Sequence, residues 1–552
     1  MQQHDRSSDR SLAGRWLFAA VIGITAWRLA IAWLLPVTQD EAYYFDWART
    51  LAWGYFDHPP GVAVLGLGTW LAPGSWLAAR LGNLIAATAT LFALLLFYHR
   101  CGMRAPRDQL VALAIAVTAL PVLAGAILTT PDSALALAWV LALHEALAAL
   151  QGARRRWLTA GLAVGLGLLG KYTMVLIGPV LLWAIVRSDP RALRTPWPYL
   201  GGLVTVLVFL PHLAWNADND WLTMRFQFGH GFAVATGPLA DSDLPQPLAA
   251  TNPTTESAPA TEPVPGWMGL AGYLGTQVAL LGLLALPLGA SLIDRIRRTL
   301  IRRGEPAMTT LAPAAGPLLR AAALFPLAFF GLFAWRSDVE ANWPVVYLFA
   351  AAPLLAVVAR RWWRWVLIAA TVNLTLVSLY AYQGATGALP LPASQARILR
   401  ETHGFDALAH LASRLDAPVF TDRYQTTAML RFHAPGLAAG QWPGLTRPSE
   451  YLRGLQPTAP SLAEICEAGG FWLIARGDPP DLPGFTLSAT RTLYDCSSTK
   501  LQQHPCPKPL HVWRLYRYRV NRQDPCKADR SRPPRSPVKF SGNPSSCSHS
   551  QC

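Results

Sequence analysis

The feature that most constrains this chain is a series of apolar runs long enough to cross a bilayer, which takes roughly 20 residues each. They fall at about 12–35, 77–98, 110–128, 133–150, 157–169, 172–187, 197–215, 269–293, 316–334, 344–358 and 363–382. The pair within 157–187 can alternatively be read as one broken helix. Charged residues make up only 14% of the chain, against about a quarter of a soluble protein. The fold class is therefore an α-helical polytopic membrane protein with about 11 transmembrane helices. The first run is too long for a removable signal peptide and lacks a small-residue cleavage site, so it should stay as a span.

A formal net charge of +15 would suit nucleic acid, but its distribution argues otherwise. The arginines sit in short loops and in the extreme C-terminal tail. Basic clusters at Arg6, Arg10 and Arg15, at Arg100, Arg104 and Arg107, at Arg154 to Arg156, at Arg187, Arg191 and Arg194, at 295–303, and at Arg360, Arg361 and Arg364 alternate with poor connections. The poor ones carry Arg49, nothing basic at TTPD, Lys171, Arg225 and Arg336. By the positive-inside rule the rich loops are cytoplasmic and the poor ones external. Asp40, Asp132, Lys171, Asn216, His230 and Glu340 then share the outer face.

Beyond Gln383 the composition becomes that of a soluble domain. Residues 397–520 mix a helix-like GFDALAHLASRL with strand-like APVFTD, GFWLIAR and HVWRLYRYRV, and the crossings put this α/β domain outside too. Six of the seven cysteines follow residue 460, which fits an oxidising compartment. Cys496 with Cys506 is a plausible local disulfide, though sequence fixes no pairing. The domains are thus 1–385, with a first external loop at 36–76 and a flexible Pro/Thr-rich insertion at 238–265; then 397–520; then a basic, disordered tail at 521–552.

The external loop VTQDEAYYFDWARTLAWGYFDHPPGV holds the densest acidic cluster. Its aromatics suit an interfacial helix. Asp40 and Glu41 have a capping reading, because Thr38 and Glu41 fit the S/T-x-x-E box. Asp57 would likewise cap a helix starting at Pro59–Pro60. If 41–53 is one helix, its ends lie about 20 Å apart, and Asp40 meets Asp57 only if 54–58 folds back at Gly54. Asp132 reads as an N-cap or a site acid. Lys171 reads as a snorkelling lysine or a phosphate ligand. His212, Asn216, Arg225 and His230 lie in an aromatic-rich stretch that suits an ordered loop, and Glu340 and Asn342 in WRSDVEANWP precede a span. Together these place carboxylates, cations and amides on one face of a bundle. Carboxylates supply a base or a metal site, and cations bind phosphate. The chemistry this suits is transfer from a lipid-phosphate donor.

At these residues the chain resembles the bacterial glycosyltransferases of family 39, the protein O-mannosyltransferase superfamily, with the aminoarabinose transferases as cousins. The D-E plus D-H-P-P opening is the most specific part. TTPDSALAL, LLGKYTMVL, PHLAWNADNDWLTMRFQF, YLGTQVALL, EANWP and PVFTDRYQTTAMLRFHAPG continue it in order to about residue 440. The resemblance implies a membrane-embedded GT-C fold in a bacterial inner membrane, with the active site on the periplasmic side. It implies a polyprenyl-phosphate sugar donor, a lipid A, glycan or protein acceptor, and inversion at the anomeric carbon. By position, Asp40 would be the general base, with Arg49 helping to keep it ionised. Glu41 would support Asp40, and Asp132 would be the second acid. Asp57 and His58 would contact donor phosphate or sugar. Lys171 and Arg225 are phosphate candidates, while Asn216, Glu340 and Asn342 would bound the substrate pocket. Metal dependence varies among such relatives, so a divalent metal stays open as a cofactor. A transporter or flippase is the rival reading; it predicts inverted repeats, and the sequence shows no second copy of the break at Gly170–Lys171.

Overall fold

The computed structural model describes residues 2–232, 266–301, 311–337, 339–389, 396–453, 460–496, 501–507 and 509–521, without side chains for 2–13, 228–232 and 301. The insertion at 238–265, the side chain of His230 and the tail past Asn521 lie outside them.

Among the described residues, six helices are long and apolar enough to span a bilayer: Gly14–Leu34, Leu81–Arg100, Pro131–Leu150, Trp197–Asp218, Ala315–Ala334 and Trp363–Thr386. The expected span at 344–358 is one short helix, Tyr347–Val358, and the remaining expected spans are interrupted. The run at 110–128 splits into Pro106–Val117 and Leu120–Gly125, because Pro121 cannot continue the earlier helix. The run at 269–293 becomes two helices bent by 101°, hinged on Gly282 at φ +59, a left-handed conformation suited to glycine. Residues 157–187 form Arg156–Gly170, a 3-10 turn Tyr172–Leu176 and Ile177–Ser188, with Lys171 extended at the break. This is a multi-pass membrane bundle whose apolar core runs through most of these helices.

The first loop forms a short helix, Gln39–Trp47, rather than the longer 41–53. It is about 13 Å long. The chain then doubles back: Tyr55 stacks on Trp47 at 4.4 Å, and its hydroxyl donates to the Trp47 and Thr50 carbonyls, 3.1 Å each. Gly54 serves this reversal by allowing close approach: a Cβ there would lie 2.4 Å from the Trp215 ring.

The C-terminal region folds into a five-stranded sheet of order β2-β1-β3-β5-β4. Its strands are β1 Val419–Thr421, β2 Ala439–Gln441, β3 Gly470–Ala475, β4 Phe485–Asp495 and β5 His511–Val520. β1 runs parallel to β2 and β3, while β5 is antiparallel to β3 and β4. Cys496 and Cys506 are bonded, as expected, and Cys101 is a buried free thiol. This domain shares a core with the first loop: Tyr43, Phe45, Trp47 and Tyr55 pack in one cluster with Phe405, Leu408, Met429 and Trp513. A buried Asp46–Arg431 ion pair at 2.6 Å joins the Gln39–Trp47 helix to the Tyr424–His433 helix. The domain is therefore built onto the loop, not hung from the last span.

Candidate active site

The Gln39–Trp47 helix starts at Thr38 and puts two adjacent carboxylates to opposite uses. Glu41 is 1% exposed. Its two oxygens take Arg80 Nε at 2.8 Å and Nη2 at 2.5 Å. They also accept the Thr38 backbone N–H at 3.2 Å and the Thr129 N–H at 3.0 Å. Arg80, fully buried, donates in addition to the carbonyls of Ala32, Leu35 and Pro36. A buried charge pair is tolerable only when so completely satisfied. Glu41 has no lone pair left for a substrate, so the catalytic reading gives way to a positioning one. It locks the end of the first span, the loop helix and the start of the Pro131–Leu150 helix together.

Asp40, one residue earlier, is exposed. The Tyr424 hydroxyl approaches its Oδ1 at 3.5 Å. Arg447 lies over the Tyr424 ring at 4.2 Å and donates from Nη1 to Asp57 Oδ1 at 2.8 Å. Gln227 Nε2 donates to the Asp57 carbonyl at 2.5 Å and lies 3.3 Å from His58 Nδ1, and Tyr44 meets the His58 ring edge-on at 6.0 Å. The chain reversal thus brings Asp40 and Asp57 to one cleft, bridged by Tyr424 and Arg447. Crowding by surrounding protein raises the Asp40 carboxyl above its usual value, and the negative charges of Glu401 and Asp57 add to this; Arg447 opposes it. Burial on its own lowers the Arg447 value, but Asp57 and Tyr424 outweigh it and hold the guanidinium charged. Arg49 does not serve Asp40: it pairs with Asp46 at 3.2 Å and donates to the Pro435 carbonyl.

A second group forms where the Pro131–Leu150 helix begins. Lys171 Nζ donates to Asp132 Oδ1 at 2.7 Å, and Asn342 Nδ2 to Oδ2 at 2.7 Å. Lys171 therefore has a counter-anion 39 positions away, which no local pattern reveals. The Thr129–Glu41 bond ties this group to the Asp40 cleft.

Other expected residues stand apart. Asn216 is fully buried; its amide contacts His212 Nε2 at 2.9 Å, and the Tyr172 hydroxyl reaches the same nitrogen at 2.5 Å. His212 Nδ1 lies 2.6 Å from the Trp53 carbonyl. Asn216 thus anchors the loop reversal and does not bound a substrate pocket. Arg225 is exposed, 3.5 Å from the Asp220 carbonyl. Glu340 is exposed and contributes its backbone carbonyl to Trp343. Among the described residues, no three His, Cys, Asp or Glu side chains converge as metal ligands would.

Sequence reasoning missed the contribution of the C-terminal domain. Arg447 follows β2, and Tyr424 follows β1. Glu450, 1% exposed, accepts the Phe56 N–H at 2.7 Å and pairs with Arg453. Burial pushes its carboxyl up to about 7 against the pull of Arg453. Tyr424 lay within the family-like segment PVFTDRYQTTAMLRFHAPG; Arg447 carried no such signal.

Residues 57–215 match the family model described as dolichyl-phosphate-mannose-protein mannosyltransferase. Two crystal structures of ArnT from Cupriavidus metallidurans share the fold. The apo form has a TM-score of 0.53 at 14% identity, covering 92% of this chain and 98% of that one. The form bound to undecaprenyl phosphate has a TM-score of 0.53 at 15% identity, covering 91% and 98%. No match was found among curated proteins. The fold agrees with the GT-C architecture that the sequence resemblance implied, and with the family match it makes this chain a glycosyltransferase.

Proposed function

We propose that this glycosyltransferase moves a sugar from a polyprenyl-phosphate donor to an acceptor hydroxyl, with inversion and with Asp40 as general base. The observation that carries the reading is the contrast between neighbours. Glu41 is saturated inside the protein, whereas Asp40 stays open to solvent at the rim of a cleft lined by Tyr424, Arg447, Asp57 and His58.

The donor is already activated, so the enzyme needs a base on the acceptor side and positive charge for the departing phosphate. The acceptor O–H gives its proton to Asp40. Its oxygen forms a bond to the anomeric carbon from the face opposite the phosphate. The carbon–oxygen bond to phosphate breaks, and its electron pair leaves with the lipid phosphate. Arg447, charged and 40% exposed at its side chain, is the cation best placed to receive that phosphate; exposed Arg225 is a second. Lys171 is neutralised by Asp132 and acts by holding that acid in place. The acidic cleft faces the periplasm in this reading, as the charge alternation of the loops indicates.

Purified protein in nanodiscs, given a radiolabelled polyprenyl-phosphate sugar and extracted envelope glycolipids and proteins, tests this. Asp40→Asn should cut transfer by about a hundredfold or more without changing elution or helix content. A folded Asp40→Asn protein with full transfer would refute the base assignment. Cysteine labelling that places residue 40 on the cytoplasmic side would refute the sidedness.

A further inference from the structure

The stretch from Arg447 to Arg453 meets the first external loop at two points that close a ring. Arg447 donates from Nη1 to Asp57 Oδ1 at 2.8 Å. Three residues on, Glu450 Oε2 accepts the N–H of Phe56, the residue before Asp57, at 2.7 Å. Two bonds join the same two short segments, so a shift of either segment breaks one of them.

The two links differ in kind. The Arg447 side chain is 40% exposed, and an ion pair open to water holds little by itself. Glu450 is the opposite case, at 1% exposed, and a backbone N–H bonded to a carboxylate is among the stronger hydrogen bonds. Arg453 Nη1 reaches both Glu450 oxygens, at 3.1 and 3.2 Å. Arg453 is itself held: Nη2 donates to Asn219 Oδ1 at 2.5 Å, and its guanidinium lies 4.7 Å from the centre of the Trp215 ring. The Glu450 N–H donates to the Tyr43 hydroxyl at 2.8 Å. The buried end of the ring is thus fastened to the Trp197–Asp218 span and to the loop helix. Its open end carries Arg447 to the cleft.

We propose that Glu450 is a positioning residue for the donor phosphate: by fixing the Phe56 N–H it sets the place of Asp57, and through Asp57 the place of Arg447. This rests on the reading above that Arg447 receives the lipid phosphate. The role belongs to the acceptor oxygen of Glu450, so glutamine, which keeps that oxygen, nearly suffices.

The test measures binding of citronellyl phosphate, a soluble prenyl phosphate without a sugar, to the full chain in nanodiscs. Glu450→Ala should weaken it about tenfold, within the range that misplacing a binding group costs. Glu450→Gln should stay within about threefold of wild type, because its amide oxygen still accepts the Phe56 N–H. In an Arg447→Ala background, Glu450→Ala should weaken binding by no more than about twofold, the mark of two residues acting through one contact. A residue that only adds stability acts alike in both backgrounds, and that result in folded proteins overturns the inference. So does a Glu450→Gln protein as weak as Glu450→Ala. Should Glu450→Ala fail to fold, amide hydrogen exchange over residues 52–58 decides, comparing wild type with Arg447→Ala. Protection that survives the loss of Arg447 leaves Glu450 as the anchor; protection that vanishes overturns the inference. If wild type does not bind the probe, or Arg447→Ala binds it as tightly as wild type, the phosphate reading of Arg447 fails and takes this inference with it. If Arg447→Ala binds weakly, that reading stands and the Glu450 variants alone decide.

Discussion

Removing the guanidinium of Arg80 should unseat the whole outer end of the bundle. Arg80→Met leaves Glu41 as a buried carboxylate without a counter-charge, and it strips three backbone carbonyls, those of Ala32, Leu35 and Pro36, of their donor. Taking one partner from a buried ion pair costs about 3–5 kcal/mol. The carbonyls add less than their separate sum, because water follows the missing side chain. A loss of about 4 kcal/mol changes the unfolding equilibrium by roughly a thousandfold. The assay is tryptophan fluorescence during denaturant titration of the purified full chain, for wild type, Arg80→Met, Glu41→Leu and the double variant. The double variant no longer buries an unpaired charge, so it should recover about 2 kcal/mol or more relative to the sum of the singles. Arg80→Met within about 1 kcal/mol of wild type, or strict additivity of the singles, would refute the reasoning.

Removing Arg447 should move catalysis on the pH axis. The guanidinium lowers the Asp40 value, so Arg447→Ala lets it rise further, and the acid limb of the pH–rate profile should shift to higher pH; an unmoved limb argues against Asp40 as base. Glu450 should make stability fall with pH. Its folded value, about 7, lies above an unfolded value of about 4.3. Between these the folded state holds the proton that the unfolded state has lost, so stability is full below about pH 4 and declines by about 3 kcal/mol as pH rises to about 7; Glu450→Gln should flatten that slope in pH-dependent melts. Asn216→Leu should lower the melting temperature, read in thermal melts of the purified chain, through loss of the His212 network that holds the Trp53 carbonyl.

What was legible in the sequence followed from local chemistry. The D-E and D-H-P-P segments pointed to Asp40 and Asp57, and Tyr55 and Gly54 close the reversal that unites them. Capping explained half of the acidic pair: Glu41 does bond the Thr38 N–H, while Asp40 is left open. Arg447 was invisible because it lies 390 positions from Asp57, in a stretch with no periodic or family-like pattern. Arg49 misled for the opposite reason, being near Asp40 in sequence but turned toward Asp46.

By itself the sequence determined the solvent this protein folds in. Apolar runs and scarce charge require helices in a bilayer, since no other open backbone satisfies its hydrogen bonds there. It also determined which short segments carry acids. Only the tertiary structure decided which of those charges are neutralised. Glu41 meets Arg80, Lys171 meets Asp132, and Asp57 meets Arg447 across separations that periodicity does not register. Pairing is a property of three-dimensional distance and burial, and those alone set apart the clamp carboxylate from its open neighbour, Asp40.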